Sequence, residues 1–193
     1  MALKITGERD IAVDPYLILK ERTFLDRSGH ERRWTYVARQ SEREAVVIVP
    51  VTRMSRSLIV IRQYRVPFGA PVIEFPAGLV DPGEKPEQTA IRELLEETGY
   101  RGVVRRVGPA VSTSAGITTE KIYMAFVEAD EMPDTAAAET PESSEEIEVI
   151  RVGPHELRSK LDSWELSGEL LDVKLYAYLS AKLEFDGTQG ANR

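Results

Sequence analysis

The chain has 193 residues, of which 42% are apolar and 30% charged, with a formal charge of −7 and no cysteine. That composition suits one well-packed domain with a small appendage, and it excludes a disulfide framework, a thiolate metal site and a cysteine nucleophile. No apolar run approaches the ~20 residues that cross a bilayer, the opening MALKITGERD lacks a signal-peptide pattern, and net acidity argues against general nucleic-acid binding. The expected compartment is the cytoplasm. Charge is uneven: residues 20–65 hold eleven Lys or Arg against five Asp or Glu, whereas residues 122–150 hold nine acids and no Lys or Arg. The basic half could meet a small polyanion; two solvated surfaces of opposite sign are the plainer alternative.

In chain order, YLILKERTFL (16–25) and RRWTYVAR (32–39) flank a Ser28-Gly29 turn and read as a hairpin. EAVVIVPVT (44–52) and SLIVIRQYR (57–65) are nearly continuous apolar runs, the mark of strands buried on both faces. APVIEFPAG (70–78) reads as one more short strand, closed by Pro76 and Gly78. A helix follows, with Pro86 in its first turn, Gly99 at its end, and Ala90, Ile91, Leu94 and Leu95 as its apolar stripe. KIYMAFVEA (121–129) and EEIEVIRV (145–152) are strands separated by DEMPDTAAAETPESS, a long acidic loop. Helices starting near Pro154 and Asp172 finish the chain. The sum is an α+β or mixed-sheet α/β domain with a small N-terminal β unit.

The segment GLVDPGEKPEQTAIRELLEETGY (78–100) gathers six carboxylates and three glycines. On its helix Glu93, Glu96 and Glu97 stand three and four apart, along one face and away from the apolar stripe. Like charges at that spacing cost an isolated helix about 0.2–0.5 kcal/mol per pair. Arg92 can offset Glu96, but Glu93 and Glu97 find no basic partner on the helix. A divalent cation would neutralise them, and Mg²⁺ prefers carboxylate oxygens while sharing substrate phosphates. Three glutamates alone would equally suit a solvated acidic helix. Glu84 can reach back to Arg92, and the glycines of 78–84 let the backbone approach a ligand or the helix closely.

The whole pattern is more specific. Gly78, five residues, Glu84, seven residues and then Arg92-Glu93-Leu94-x-Glu96-Glu97-x-Gly99-Tyr100 resembles the Nudix box at every constrained position, a match that average residue usage makes negligible by chance. The resemblance implies a Nudix α/β/α sandwich with a mixed sheet, which hydrolyses a nucleoside diphosphate linked to another moiety using Mg²⁺, with Mn²⁺ as an alternative. It implies that Glu93, Glu96, Glu97 and the Ala77 carbonyl hold metal, that Glu97 and Glu93 matter most for catalysis, and that Glu84 and Arg92 form a structural salt bridge.

RQYRVPFGAPVIEFPAGLVDPGE, the hairpin FLDRSGHERRW and the terminal LDVKLYAYLSAKL are similar to ADP-ribose and nucleoside-diphosphate-sugar pyrophosphatases over most of the chain. That likeness implies an N-terminal unit, 1–42, exchanged across a homodimer, and a catalytic domain, 43–193. It also implies a base held between Trp34 and Tyr16, pyrophosphate or ribose contacts from Arg39 and Arg65, and a general base at Glu145, a further metal ligand, with Glu146 beside it. Aromatic faces stack on any base and guanidinium forks suit phosphate oxygens; the plainer readings are interface packing for Trp34, a surface charge for Arg65 and solubilising acids in the loop. Phe68 and Tyr100 read as core, His30 and His155 as surface. Two departures stand out: Ser114-Ala115-Gly116 where many relatives carry Ser-Pro-Gly, and Thr35 where some adenine-selective relatives place an acid. They leave room for other nucleoside-diphosphate sugars; the alternative within the enzymes is a different diphosphate substrate, such as GDP-mannose, ADP-glucose or a dinucleotide polyphosphate. A non-catalytic nucleotide sensor is the rival outside the enzymes.

Overall fold

The structure, a computed structural model, describes residues 3–41, 43–134 and 146–186. Strands β1 (Lys4–Val13), β2 (Leu17–Leu25) and β3 (Glu31–Arg39) form an antiparallel sheet in the order β1-β2-β3. β2 and β3 are the expected hairpin, in unbroken register from Leu17 opposite Arg39 to Leu25 opposite Glu31. Asp26 holds its turn, with Oδ1 accepting the N–H groups of Ser28 (2.9 Å) and His30 (3.0 Å). β1 is not legible in the sequence: KITGERDIAV has no clean alternation, and it becomes a strand by pairing with β2 through two register shifts.

The main sheet has nine strands and is mixed. It contains β4 (Ala45–Thr52), β5 (Leu58–Arg65), β6 (Ala70–Glu74), β7 (Ala77–Leu79), β8 (Gly102–Val107), β9 (Val111–Ser112), β10 (Lys121–Ala129), β11 (Ile147–Val152) and β12 (Leu170–Leu171). β10 runs parallel to β4 and β12 parallel to β6. Helix α1 (Pro86–Thr98) lies on one face, while α2 (Leu157–Ser167) and α3 (Val173–Asp186) cover the other. Alternation along β4 serves both layers: Val46 and Ile48 pack with Ala90 and Leu94 of α1, while Val47 and Val49 pack with Leu161, Trp164, Leu175 and Leu179. Burial on both faces is what the continuous apolar runs require. Among the described residues no helix is long and apolar enough to cross a membrane.

The expected single strand over 70–78 is two strands. β6 pairs with β5, whereas β7 pairs with β4. Pro76, which has no N–H for a ladder, stands between them and offers its carbonyl to Ile48 N–H at 2.8 Å. β4 and β5 share one register pair, Val51 opposite Leu58; beyond it β7 lines β4 and β11 lines β5, so the sheet opens where β7 begins. β8, β9 and β12 are further strands that the sequence pattern leaves unmarked, being short and held by neighbours. Phe68, expected in the core, is 68% exposed on a 3₁₀ turn after β5, whereas Tyr100 is buried as expected.

Candidate active site

Helix α1 is fixed at both ends by local chemistry. Pro86 occupies its first turn, and Lys85 N–H donates to the Gln88 side chain at 2.9 Å in a reciprocal cap. Gly99, at φ 72°, closes it in the left-handed region by donating to the Leu95 carbonyl at 2.8 Å. Ala90 and Leu94 are fully buried, and Ile91 and Leu95 half-buried, which turns the carboxylates of the opposite face along β7 and the Gly-rich loop.

Arg92 organises that edge. Its Nε and Nη2 donate to the two oxygens of Glu84, each at 3.1 Å, and Nη2 also reaches the Leu79 carbonyl at 3.3 Å. The expected Glu84–Arg92 pair is thus present, and Thr89 Oγ1 adds a 2.7 Å donation to Glu84. Nη1 of Arg92 donates to Glu93 Oε1 at 2.8 Å and Glu96 Oε2 at 2.9 Å. This corrects the expectation that Glu93 has no basic partner on the helix: the guanidinium is wide enough to serve its neighbour in sequence as well as the residue one turn on. Arg43, a contact the sequence gives no signal for, donates to the Val80 carbonyl at 2.9 Å and pairs with Asp81, tethering the loop to the start of β4.

The donations from Arg92 and Thr89 hold the Glu84 carboxyl down at about 2, against 4.5 when free. A depressed native value means the unfolded chain takes up the proton first, so this stabilisation is full above pH 4.5 and is lost as pH falls toward 2. Wild-type melting temperature, followed by circular dichroism, should therefore drop more steeply across that interval than that of Glu84→Gln. An identical acid limb in the two proteins would contradict the pair's role.

Glu93 behaves oppositely. Burial pushes its carboxyl up, outweighing the pull of Arg92. Its side chain fills the space where residue 78 has no Cβ: a methyl there would lie 1.8 Å from Glu93 Oε1. Glu97 is tied to the same strand, accepting the Ala77 N–H on Oε2 at 3.0 Å. A buried hard-oxygen donor in a glycine cradle, beside two further carboxylates on one helix face, suits a divalent ion chemically. With Glu93 and Glu96 turned to Arg92, no three carboxylates converge on one point among the described residues.

The outer residues are dispersed. Arg65 ends β5 and donates Nε–H to Glu74 at 2.7 Å; the two-residue period from Ile59, which packs under α1, puts it on the α1 side of the sheet. Arg39 ends β3, with Nε (2.9 Å) and Nη2 (2.7 Å) on Glu120 Oε1. Trp34 is 54% exposed on β3 with Nε1–H donating to the Gly116 carbonyl at 3.0 Å, and Tyr16, 78% exposed, precedes β2. Trp34 lies opposite Arg22 in the ladder, six residues from Tyr16, or about 20 Å along a strand. The two rings of one chain are therefore too far apart to enclose one base. Glu145 falls outside the described residues; Glu146 is exposed just before β11. His30 and His155 are exposed as expected.

A mixed-sheet α/β/α sandwich presenting a carboxylate-lined helix beside a split in the sheet defines a class of domain. The NUDIX domain family model matches residues 41–172. The chain is 32% identical over 184 residues to an ADP-sugar pyrophosphatase of Mus musculus, across 90% of this chain and 84% of the mouse protein. It is 29% identical over 167 residues to an ADP-ribose pyrophosphatase of Saccharomyces cerevisiae, across 81% of this chain and 72% of the yeast protein. A crystal structure of ADP compounds hydrolase shares the fold, with a TM-score of 0.74 at 22% identity over 98% of this chain and 97% of that one. The chain belongs to the Nudix family, whose hydrolases generally use divalent metal ions.

Proposed function

We propose that the protein hydrolyses the pyrophosphate bond of ADP-ribose or a related nucleoside-diphosphate sugar in the cytoplasm, releasing a nucleoside monophosphate and a sugar phosphate. The observation that carries this reading is the intact carboxylate edge of α1, with Glu93 seated against Gly78 and Glu97 tied to Ala77. The substrate class follows the named activities of the mouse and yeast relatives.

Glu93, Glu96, Glu97 and the Ala77 carbonyl would hold Mg²⁺, or Mn²⁺ in its place, with Glu145 as a further ligand. When bound, the ion supplies positive charge at the pyrophosphate and lowers the pKa of water. Arg39 and Arg65 orient the phosphates through charge-assisted hydrogen bonds. Glu145, with Glu146 beside it, takes the proton from the attacking water. Glu84 and Arg92 hold the loop and helix so that the carboxylates keep their places. Trp34 and Tyr16 stack on the base. Their separation of about 20 Å along one strand favours a sandwich completed by a second copy, with residues 1–42 exchanged across a homodimer and 43–193 forming the catalytic domain.

A panel of nucleoside-diphosphate sugars and dinucleotide polyphosphates, assayed with Mg²⁺ and resolved by chromatography, tests the reading. Cleavage of ADP-ribose that EDTA abolishes, by a species of twice the chain mass in light scattering, is the expected result. Absence of any cleavage would favour a nucleotide sensor, and a fully active monomer would remove the shared sandwich.

A further inference from the structure

The connection from β9 to β10, TSAGITT followed by Glu120, is bolted to β3 along its length. Val37 N–H donates to the Ile117 carbonyl at 2.8 Å, and Thr119 N–H returns to the Val37 carbonyl at 3.1 Å. The same segment fixes the Trp34 indole through the Gly116 carbonyl. It is braced internally, with the Ile117 and Thr118 N–H groups on the Ser114 carbonyl at 2.9 and 3.0 Å. At its end Glu120 is held from two sides: its N–H donates to Thr118 Oγ1 at 3.0 Å, and its Oε2 accepts from Thr113 Oγ1 at 3.3 Å.

Its other oxygen, Oε1, takes both Nε and Nη2 of Arg39. The Arg39 and Glu120 side chains are 36% and 24% exposed, so the pair is partly shielded from solvent yet reachable. One edge of the guanidinium is engaged by a carboxylate that Thr113 also holds, while Nη1 makes no hydrogen bond among the described residues. An arginine free to sample its many rotamers loses that freedom on binding an anion; one already held by a fixed carboxylate loses much less.

We propose that Glu120 is a positioning residue for substrate binding: it holds Arg39 with Nη1 available to a phosphate oxygen, from the same segment that orients Trp34. This rests on the reading of Arg39 as a phosphate contact. The role is one of preorganisation, so it belongs to KM and not to the chemical step.

In the full-length protein, Glu120→Ala should raise KM for ADP-ribose about tenfold with kcat within about twofold. Glu120→Gln, which keeps an acceptor oxygen, should recover part of the loss. In an Arg39→Ala background Glu120→Ala should add nothing, because the residue it positions is gone. Calorimetric titration with a non-hydrolysable methylene analogue of ADP-ribose should show the same shift in Kd. An unchanged KM and Kd in Glu120→Ala, or a full additional loss in the Arg39→Ala background, overturns the positioning role. A wild type that cleaves sugar nucleotides while the variants bind as it does defeats that role alone. A wild type that neither cleaves nor binds them defeats the proposed function as well.

Discussion

Glu97→Gln should lower kcat for ADP-ribose by roughly a hundred- to a thousandfold, the scale on which single electrostatic contributors to a transition state act. The melting temperature should change little. The substitution isolates charge from structure. Glu97 accepts the Ala77 N–H at 3.0 Å, and glutamine keeps an oxygen of the same reach for that bond. It loses the negative charge that a divalent ion requires of its ligand, since metal ions of this kind favour anionic oxygen over a neutral amide. Direct titration of Mn²⁺ should weaken in parallel. Near-wild-type turnover in the folded variant would sink the assignment of α1 as the catalytic edge and leave the acidic stripe as a solvated face.

Gly78→Ala tests the same edge from the strand beneath it. A Cβ there would meet Glu93 Oε1 at 1.8 Å, Cδ at 1.9 Å and Cγ at 2.5 Å. No two such atoms can share that space, and the party able to move is the end of the Glu93 side chain. The backbone of β7, paired with β4 through Ala77, Gly78 and Leu79, need not follow. Displacing a reacting or ligating group by about 1 Å is enough to cost on the order of a hundredfold in rate. The expected result is therefore a loss of kcat of at least that order, with the fold retained by circular dichroism. Full activity in Gly78→Ala would mean that the Glu93 position seen here is not the working one.

Most of the fold was legible wherever a local rule operates. The β2–β3 hairpin, the doubly buried strands β4 and β5, β10, and the span of α1 from Pro86 to Gly99 all follow from turn residues, apolar period and caps. The strands that the sequence leaves unmarked are those without a pattern of their own. β1 is charged on both sides and exists because Arg9, Glu8 and Asp10 find Glu21, Arg22 and Lys20 across the ladder. The break between β6 and β7 was hidden because Phe75-Pro76 reads as the end of one strand, whereas in three dimensions it moves the chain from β5 to β4.

The site divides along the same line. Sequence alone determined the chemistry: spacing on one helix gathers Glu93, Glu96 and Glu97, because helical period converts sequence separation directly into a shared face, and the full box spacing, with Glu84 in the loop before the helix, identifies the family. Tertiary structure alone decided which partners those groups take. That Gly78 makes room for a buried carboxylate, and that Arg39 is gripped by Glu120, 81 residues away, depend on packing between segments that no local period relates. It decided too that Tyr16, just before the β2–β3 ladder, and Trp34, opposite Arg22 within it, stand far apart, because strand register turns six residues of separation into about 20 Å.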